Sequence, residues 1–390
     1  MEVKQIYELI NSVSSEVLGK TDIVAEDLTG VVDLGTEVFN QGAVDNYVKS
    51  LVNHIGKVIF VNRPYAGKIP SVLMDAWEFG SVLEKISADV PQATENDTWN
   101  LTDGTEYKQD IFHKPVVSAK FFNSKVTFEV PVSITERQVK ESFSSAAQLN
   151  GFLSMIYSAV DKSMTIKTDA LIMRTINNMI GETLFADAAA FTSAKTLNYA
   201  SASTVRCVNL LYLYNQAKGT TLTADKCLTD GDFIRFASYQ MGLYADRLQS
   251  ISTLFNVGGK ERFTPKDSLH TVLLSDFAKG AQAYLYADTY NKEQVLLPNA
   301  ETVASWQGTG NDYGFAHTSA INIKTSGNHD INIGGVLGVM FDRDALGVCN
   351  LDKRVTTNYN AKAEFFNNYY KFDAGYFNDT NENFVVFFVA

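Results

Sequence analysis

Residues 145–181 read SAAQLNGFLSMIYSAVDKSMTIKTDALIMRTINNMIG. Leu149, Phe152, Leu153, Ile156, Val160, Met164, Leu171, Ile172, Ile176 and Met179 recur at steps of three and four residues. That spacing predicts an amphipathic helix with one apolar stripe. Ser145 and Gln148 fit a capping box at its start, and Gly181 is the expected stop. From residue 149 to 180, at about 1.5 Å per residue, the helix would be roughly 48 Å long, well beyond an ordinary globular helix. The polar run 161–168 leaves two stacked helices as the alternative. Ile156 and Val160 share the stripe and are expected in a core.

Upstream of this helix, Ile6, Leu9, Ile10, Val13 and Val17 predict a short amphipathic helix over residues 2–18. It docks either on its own domain or on a neighbour. A polar stretch with Gly30, Gly35 and Gly42 reads as an extended arm. Val44, Tyr47, Val48, Leu51 and Ile55 then form a second helical face, capped by Gly56. Residues 57–62 are strand-like. Apolar and polar residues roughly alternate over 77–86, and residues 94–104 form a polar tip, TENDTWNLTDG. The chain returns with Phe122, Val126, Phe128 and Val130 on one face and Asn123, Lys125, Thr127 and Glu129 on the other. Residues 58–130 are therefore expected to form a long two-stranded excursion. A lone hairpin is marginal in water, so a partner should supply the missing contacts. Thr135 and Gln138 fit a further capping box.

Downstream, residues 232–248 read as a helix, 270–274 as a buried strand and 276–286 as the helix after it. Residues 302–330, rich in Gly, Asn, Ser and Thr, read as long loops. An apolar strand over 331–341 follows, then strand-like runs over 353–359, 363–377 and 384–389, with residues 378–381 as the last turn.

Bulk properties narrow the function. The chain has 390 residues and a formal net charge of −11. It carries no basic stripe of the kind that nucleic-acid binders use. No run approaches the roughly 20 apolar residues of a membrane span. Cys207, Cys227 and Cys349 are odd in number and fit no metal template, so buried reduced thiols are expected. The start has no secretory pattern, so synthesis in a reducing cytoplasm is expected.

Catalytic motifs fail one by one. Gly19-Lys20-Thr21 has Ser14 where a phosphate loop needs its first glycine. Gly308-Thr309-Gly310 meets Gly314 one position too late for a dinucleotide fingerprint. Gly258-Gly259-Lys260 continues into Glu261 and fails as well. His54, His113, His270, His317 and His329 include no His-x-x-x-His pair, and no Gly-x-Ser-x-Gly elbow occurs. The sequence nominates no catalytic, no cofactor-binding and no metal-ligating residue.

The order of elements resembles the tailed-phage major capsid proteins of the Hong Kong ninety-seven type, and short-tailed phages most. DNYVKSLVNHIGKVIFV (residues 45–61) resembles the arm entering the E-loop. SAAQLNGFLSMIYSAVDKSM (145–164) resembles the start of the spine helix. SLHTVLLSDFAKGAQAYL (268–285) resembles the A-domain strand–helix step, and RVTTNYNAKAEFFNNYYKFDAGYFND (354–379) the P-domain return strands.

The resemblance implies an α+β phage capsid fold. Its parts would be an N-terminal arm (1–56), a long β-hairpin E-loop with flanking strands (57–134) and the P domain with its spine helix (135–182). A mixed α/β A domain (183–345) and P-domain return strands (346–390) complete a discontinuous P domain. The implied function is a non-enzymatic subunit that self-assembles, through hexamers and pentamers, into the icosahedral shell enclosing phage double-stranded DNA. It would need no cofactor, no membrane and no sequence-specific nucleic-acid contact. It would be made in the bacterial host cytoplasm and end in the virion capsid. The short arm, with no charged coil, implies a separate scaffolding protein and a portal as partners. An encapsulin-like compartment shell, a phage tail or portal component and a carbohydrate-active enzyme are the competing readings.

Overall fold

A computed structural model of the chain describes residues 3–19, 34, 50, 69, 72–74, 83–91, 93–107, 110, 112–135, 137–138, 146–193, 196–286, 297, 299–306 and 320–390. The second helical face over 44–55, the strand-like run 57–62 and the Ser145 cap lie outside these residues.

In chain order come helix α1 (Val3–Leu18) and strands β1 (Leu73–Met74), β2 (Leu83–Ala88), β3 (Val117–Phe122) and β4 (Lys125–Thr135). The long helix α2 (Ala146–Ala186) follows, then the short strands β5 (Thr192–Ser193), β6 (Thr196–Leu197) and β7 (Cys207–Asn209). Next are α3 (Leu210–Lys218), α4 (Gly231–Arg247), β8 (Leu269–Leu274), α5 (Ser275–Tyr286) and β9 (Ala300–Val303). The chain ends on β10 (Ile321–Lys324), β11 (Asp330–Ile333), β12 (Val336–Asp342), β13 (Leu346–Asn360), β14 (Phe365–Asn378) and β15 (Phe384–Phe388). The expected α+β class is what forms.

The chain divides into two compact units. The first comprises Met1–Ala76, Lys125–Ile172 and Val348–Gly375. Its sheet has the order β1-β13-β14-β4. Strand β4 runs antiparallel to β14 from Thr135↔Phe365 to Lys125↔Gly375. Period two sorts the side chains. Phe128 turns inward and meets Phe372 at 5.0 Å between ring centroids. The outward residues pair across the strands: Thr127 donates to Asp373 (2.6 Å), Ser133 to Asn367 (2.6 Å), and Lys371 pairs with Glu129 (3.2 Å). Arg354 on β13 also reaches Asp373 at 2.6 Å and holds its carboxyl below the usual range. Cross-strand polar pairs of this kind suit a face that meets water. The Thr135 capping box forms in both directions: the Thr135 amide donates to Gln138 Oε1 (3.0 Å) and the Gln138 amide to Thr135 Oγ1 (3.2 Å).

In helix α2, Ile156 and Val160 are buried, whereas Met155 and Ile166 are exposed, so the predicted stripe is correctly phased. The single long helix forms without a break over 161–168, so the alternative of two stacked helices falls. The expected stop fails: the helix runs past Gly181 to Ala186, 41 residues or about 62 Å. Gly181 is a point of close approach, not a stop. A Cβ there would lie 2.9 Å from Ile323 Cγ2 on β10. That strand pairs with β11, and Ile321, Ile323, Ile331 and Ile333 are all buried. At the same end of α2, Phe185 stacks on His329 at 4.3 Å. Within residues 302–330, expected as loops, the described residues thus hold the end of β9 and the β10 side of a hairpin. The expected strand over 331–341 splits into β11 and β12 at Gly334-Gly335, where Gly335 has φ 74°.

The second unit comprises Trp77–Ser124, Met173–Gly347 and Tyr376–Ala390. Its mixed sheet has the order β7-β15-β12-β8-β9. β12 and β15 are buried along their whole length. Helices α3, α4 and α5 contribute Leu211, Tyr214, Phe233, Met241 and Phe277 to a core shared with Leu273, Met340 and Phe387. Asn209 caps α3 by accepting from the Tyr212 amide (3.0 Å), and Asp230 caps α4 by accepting from Phe233 (2.8 Å). β15 was expected beside the return strands. Its hydrogen bonds go instead to β12 and β7. An all-apolar run such as FVVFF suits a strand covered on both faces, which the interior of this sheet supplies.

The stripe in α2 is open to a direct test. Ile156→Ala should lower stability by about 2–5 kcal/mol, because the residue is 2% exposed. Met155→Ala, one position away on the exposed side, should change stability by less than about 0.5 kcal/mol. Chemical denaturation of both variants reads the difference.

Candidate functional site

Strands β2 and β3 pair antiparallel, from Leu83↔Phe122 to Ala88↔Val117. Among the described residues, this ribbon covers 83–88 and 117–122 of the expected excursion. Asn123 and Ser124 separate β3 from β4, and β4 joins β14 instead. Period two could not reveal that change of partner, because it reports faces and not neighbours.

The ribbon has two unlike faces. Leu83, Lys85, Lys120 and Phe122 are partly or fully covered, while Ile86, Val117 and Phe121 stand exposed. Lys85 lies directly opposite Lys120. Two cations opposed in this way destabilise a ribbon unless an anion comes between them. Asp379 does so: it lies 3.0 Å from Lys85 Nζ and 2.9 Å from Lys120 Nζ, and its side chain is 3% exposed. Glu382, one short turn later, takes Lys85 at 2.7 Å and Arg262 Nε at 3.3 Å. Asp379 Oδ1 also accepts from the Asn381 amide (3.0 Å), and Lys85 donates to the Asp344 carbonyl (3.2 Å). Phe122 packs on Phe377 at 5.0 Å.

A second ribbon grips the same turn. Ser252 and Arg262 exchange backbone hydrogen bonds of 2.9 and 3.0 Å. Lys260, from the loop between them, pairs with Asp89 just beyond β2 at 3.0 Å. The Gly258 amide donates to the Thr380 carbonyl at 2.8 Å. A Cβ on Gly258 would lie 2.0 Å from Asn381 Oδ1 and 3.2 Å from Asn381 Cα, so a larger residue there would displace the Asn381 side chain.

Beyond the stem, the tip is shaped by its own polar groups. Asn96 Oδ1 accepts from the Thr98 amide (2.9 Å), and the Thr102 amide donates to the Tyr107 hydroxyl (3.0 Å). Trp99 is left 94% exposed and Phe112 87%. Among the described residues, nine of the 18 exposed large hydrophobic side chains lie between Ile86 and Phe121. Exposed apolar side chains at that density are of the kind that contact surfaces carry.

Charge within the anchor is settled by proximity. Burial would raise the Asp379 carboxyl, but Lys120 and Lys85 outweigh it and hold it below the usual carboxylate range. Burial would lower the Lys85 ammonium, but the hydrogen bond to Glu382 and the charge of Asp379 raise it above its ordinary value.

The residues weighed in the sequence do not converge. Gly258, Gly259 and Lys260 belong to the anchoring loop, where Lys260 meets a carboxylate. His270 lies on β8 beside Phe341, and burial lowers its pKa; His329 stacks on Phe185; His113 is exposed. His54 and His317 lie outside the described residues. The three cysteines are buried free thiols, and burial pushes Cys227 up to about 12. Among the described residues no group of three or more His, Cys, Asp or Glu is placed to hold a metal, and no helix is long and apolar enough to cross a membrane. The anchoring charges Lys85, Lys120, Arg262, Asp379 and Glu382 were not anticipated. The available signal was period two over residues 83–88, which puts Lys85 on the same face as Leu83.

The pH dependence has a definite sign. Asp379, with its lowered pKa, stabilises the anchor above the ordinary carboxylate range, and this is lost as pH falls through about 4 and below. Lys85, with its raised pKa, stabilises below about 10.4, and this is lost as pH rises through that value and above. Amide protection factors in β2 and β3, each rate taken relative to its intrinsic value at the same pH, should therefore be highest on a plateau between the two limits and fall on both sides. Asp379→Asn leaves two lysines opposed and should cost roughly 1–3 kcal/mol at neutral pH.

The major capsid protein of Bacillus phage B103 is 22% identical over 188 residues, 47% of this chain and 40% of that protein. The chain thus matches less than half the length of this relative. The capsid structure of Staphylococcus phage Andhra aligns with 84% of this chain and 86% of its own at 10% identity and TM-score 0.49. The capsid of cyanophage P-SCSP1u aligns with 85% and 92% at 10% identity and TM-score 0.46. The family model described as Phi29-like phage major capsid protein matches residues 10–388. With nearly its whole length matched, the chain belongs to the Phi29-like phage major capsid protein family.

Proposed function

We propose that this chain is the structural subunit of an icosahedral phage shell that encloses double-stranded DNA. The observation that carries the reading is the family match over residues 10–388. The protruding ribbon supports it physically, since its outer face buries little within the chain that forms it. A shell subunit needs such surfaces, covered only in company.

In this reading the β2–β3 ribbon and its tip are the E-loop, and α2 is the spine helix. The sheet of β1, β13, β14 and β4 belongs to the P domain, and the five-stranded sheet with α3, α4 and α5 forms the A domain. Residues 1–56 form the arm. The subunit assembles through hexamers and pentamers and carries out no catalysis. A separate scaffolding protein and a portal complete the assembly in the bacterial host cytoplasm. The product is the virion capsid, with no membrane and no sequence-specific contact to nucleic acid. The family match gives the encapsulin-like and carbohydrate-active readings no support.

Charge argues for assembly without a nucleic-acid template. A chain of net charge −11 repels its copies at a distance. Salt at physiological strength screens that repulsion over about 8 Å and leaves close contacts intact. Moderate salt should therefore promote assembly, and shells should survive nuclease treatment with no residual nucleic-acid absorbance. Shells that form only on DNA or RNA would overturn the mechanism. Deleting residues 95–105 should leave a folded subunit with native circular dichroism that builds few shells in electron micrographs. A deletion variant that assembles normally would remove the tip from the interface.

A further inference from the structure

The loop bolted beside the hairpin has an outer face that the E-loop reading leaves unused. The exchange between Ser252 and Arg262 is a single antiparallel bridge that closes the loop 253–261. By that register Ile251 stands opposite Phe263. The inner side of the bridge holds Ser252, Arg262 and the fully buried Thr264, whose amide donates to the Leu248 carbonyl at 2.8 Å. Ile251 and Phe263, opposite each other beside the bridge, are each 55% exposed, and Leu254, in the bend that follows, is 60% exposed.

This face is held in shape from behind. Phe255 is buried and its carbonyl accepts from the Phe384 amide (2.9 Å). Asn256 is 1% exposed; its side chain donates to the Lys260 carbonyl (2.7 Å) and accepts from the Lys260 amide (2.8 Å). Three exposed apolar side chains on a loop with buried hydrogen bonds form a preorganised contact patch, which loses little entropy on docking.

We propose that this patch is an interface covered by a second copy of the same chain, in a contact continuous with the one the hairpin makes. The proposal rests on the shell reading. Continuity comes from the shared anchor. Arg262 and Lys85 reach the same oxygen of Glu382, and Lys260 meets Asp89 at the end of β2. A partner that seats against the hairpin stem therefore lies within reach of the patch. Charge favours a like-charged partner. Both loop cations turn inward to carboxylates, so Glu261 is the one charged side chain left exposed between Ile251 and Phe263. On a chain of net −11, a nearly uncharged face is where two copies approach with least repulsion. The contact is heterologous, because it joins this patch to a different surface on the next copy, as a ring of subunits requires.

The experiment uses the full chain under conditions in which it forms shells. Leu254→Cys introduces a reporter, since the three native thiols are buried. Maleimide should label it readily in the free subunit and at least tenfold more slowly in shells. Phe263→Asp should melt like the parent chain, because the side chain is exposed, yet yield at least tenfold fewer shells; Phe263→Leu should assemble normally. Shells in which the introduced thiol reacts as fast as in the free subunit, or a Phe263→Asp variant that assembles like the parent, would overturn this proposal and leave the shell reading standing. A parent chain that never forms shells would overturn both.

Discussion

A turn that buries two carboxylates organises the functional end of the second unit. Asp379 and Glu382 sit between β14 and β15 with side chains 3% and 10% exposed. Buried anions are costly unless cations and donors surround them. Here the cations come from elsewhere in the chain: Lys85 and Lys120 from the hairpin and Arg262 from the loop. The hairpin therefore keeps its place by neutralising the turn, more than by burying its own apolar residues. Its outer face, with Ile86, Val117 and Phe121, stays exposed.

The same arrangement explains why opposed lysines are tolerated. Alone, Lys85 and Lys120 would push β2 and β3 apart. With Asp379 at about equal distance from both, each strand is drawn to the same point. Asp379 is itself fixed, since its amide donates to the Ala345 carbonyl at 2.7 Å. Strand pairing in the ribbon and docking of the ribbon become one coupled event. Loss of either partner leaves charge unpaired in a partly buried site, and such losses do not add independently.

The parts of the fold legible in the sequence were those governed by local periodicity. The stripe through Ile156 and Val160, the faces of β4 and the β8–α5 step all followed from it, because side-chain direction is fixed by backbone geometry. What failed depended on partners far along the chain. Gly181 looks like a helix stop, since glycine marks helix ends and close contacts alike. Ile323, which explains it, lies more than a hundred residues away. Residues 378–381 read as the last turn, and a turn does form there at Thr380 and Asn381, just before Glu382. Their role comes from Lys85, 297 positions before Glu382. Sheet order was hidden for the same reason: FVVFF reads as a strand, and nothing within it names β12 and β7 as neighbours.

The candidate surface was legible only in outline. Residues 94–104 could be seen as a tip, but its polar composition concealed Trp99 and Leu101, which the structure leaves exposed. Asn96, Thr102 and Tyr107 spend their hydrogen bonds on shaping the tip, and that shape presents the apolar groups outward. A polar sequence can thus build an apolar contact. Fully burying side chains of this size is worth about 1.5–3 kcal/mol each. Coulomb repulsion between copies is screened within about 8 Å, whereas apolar burial acts only at contact. The two effects therefore operate at different separations. In the proposed assembly, repulsion would keep free subunits apart, and the apolar faces would decide the outcome once they touch.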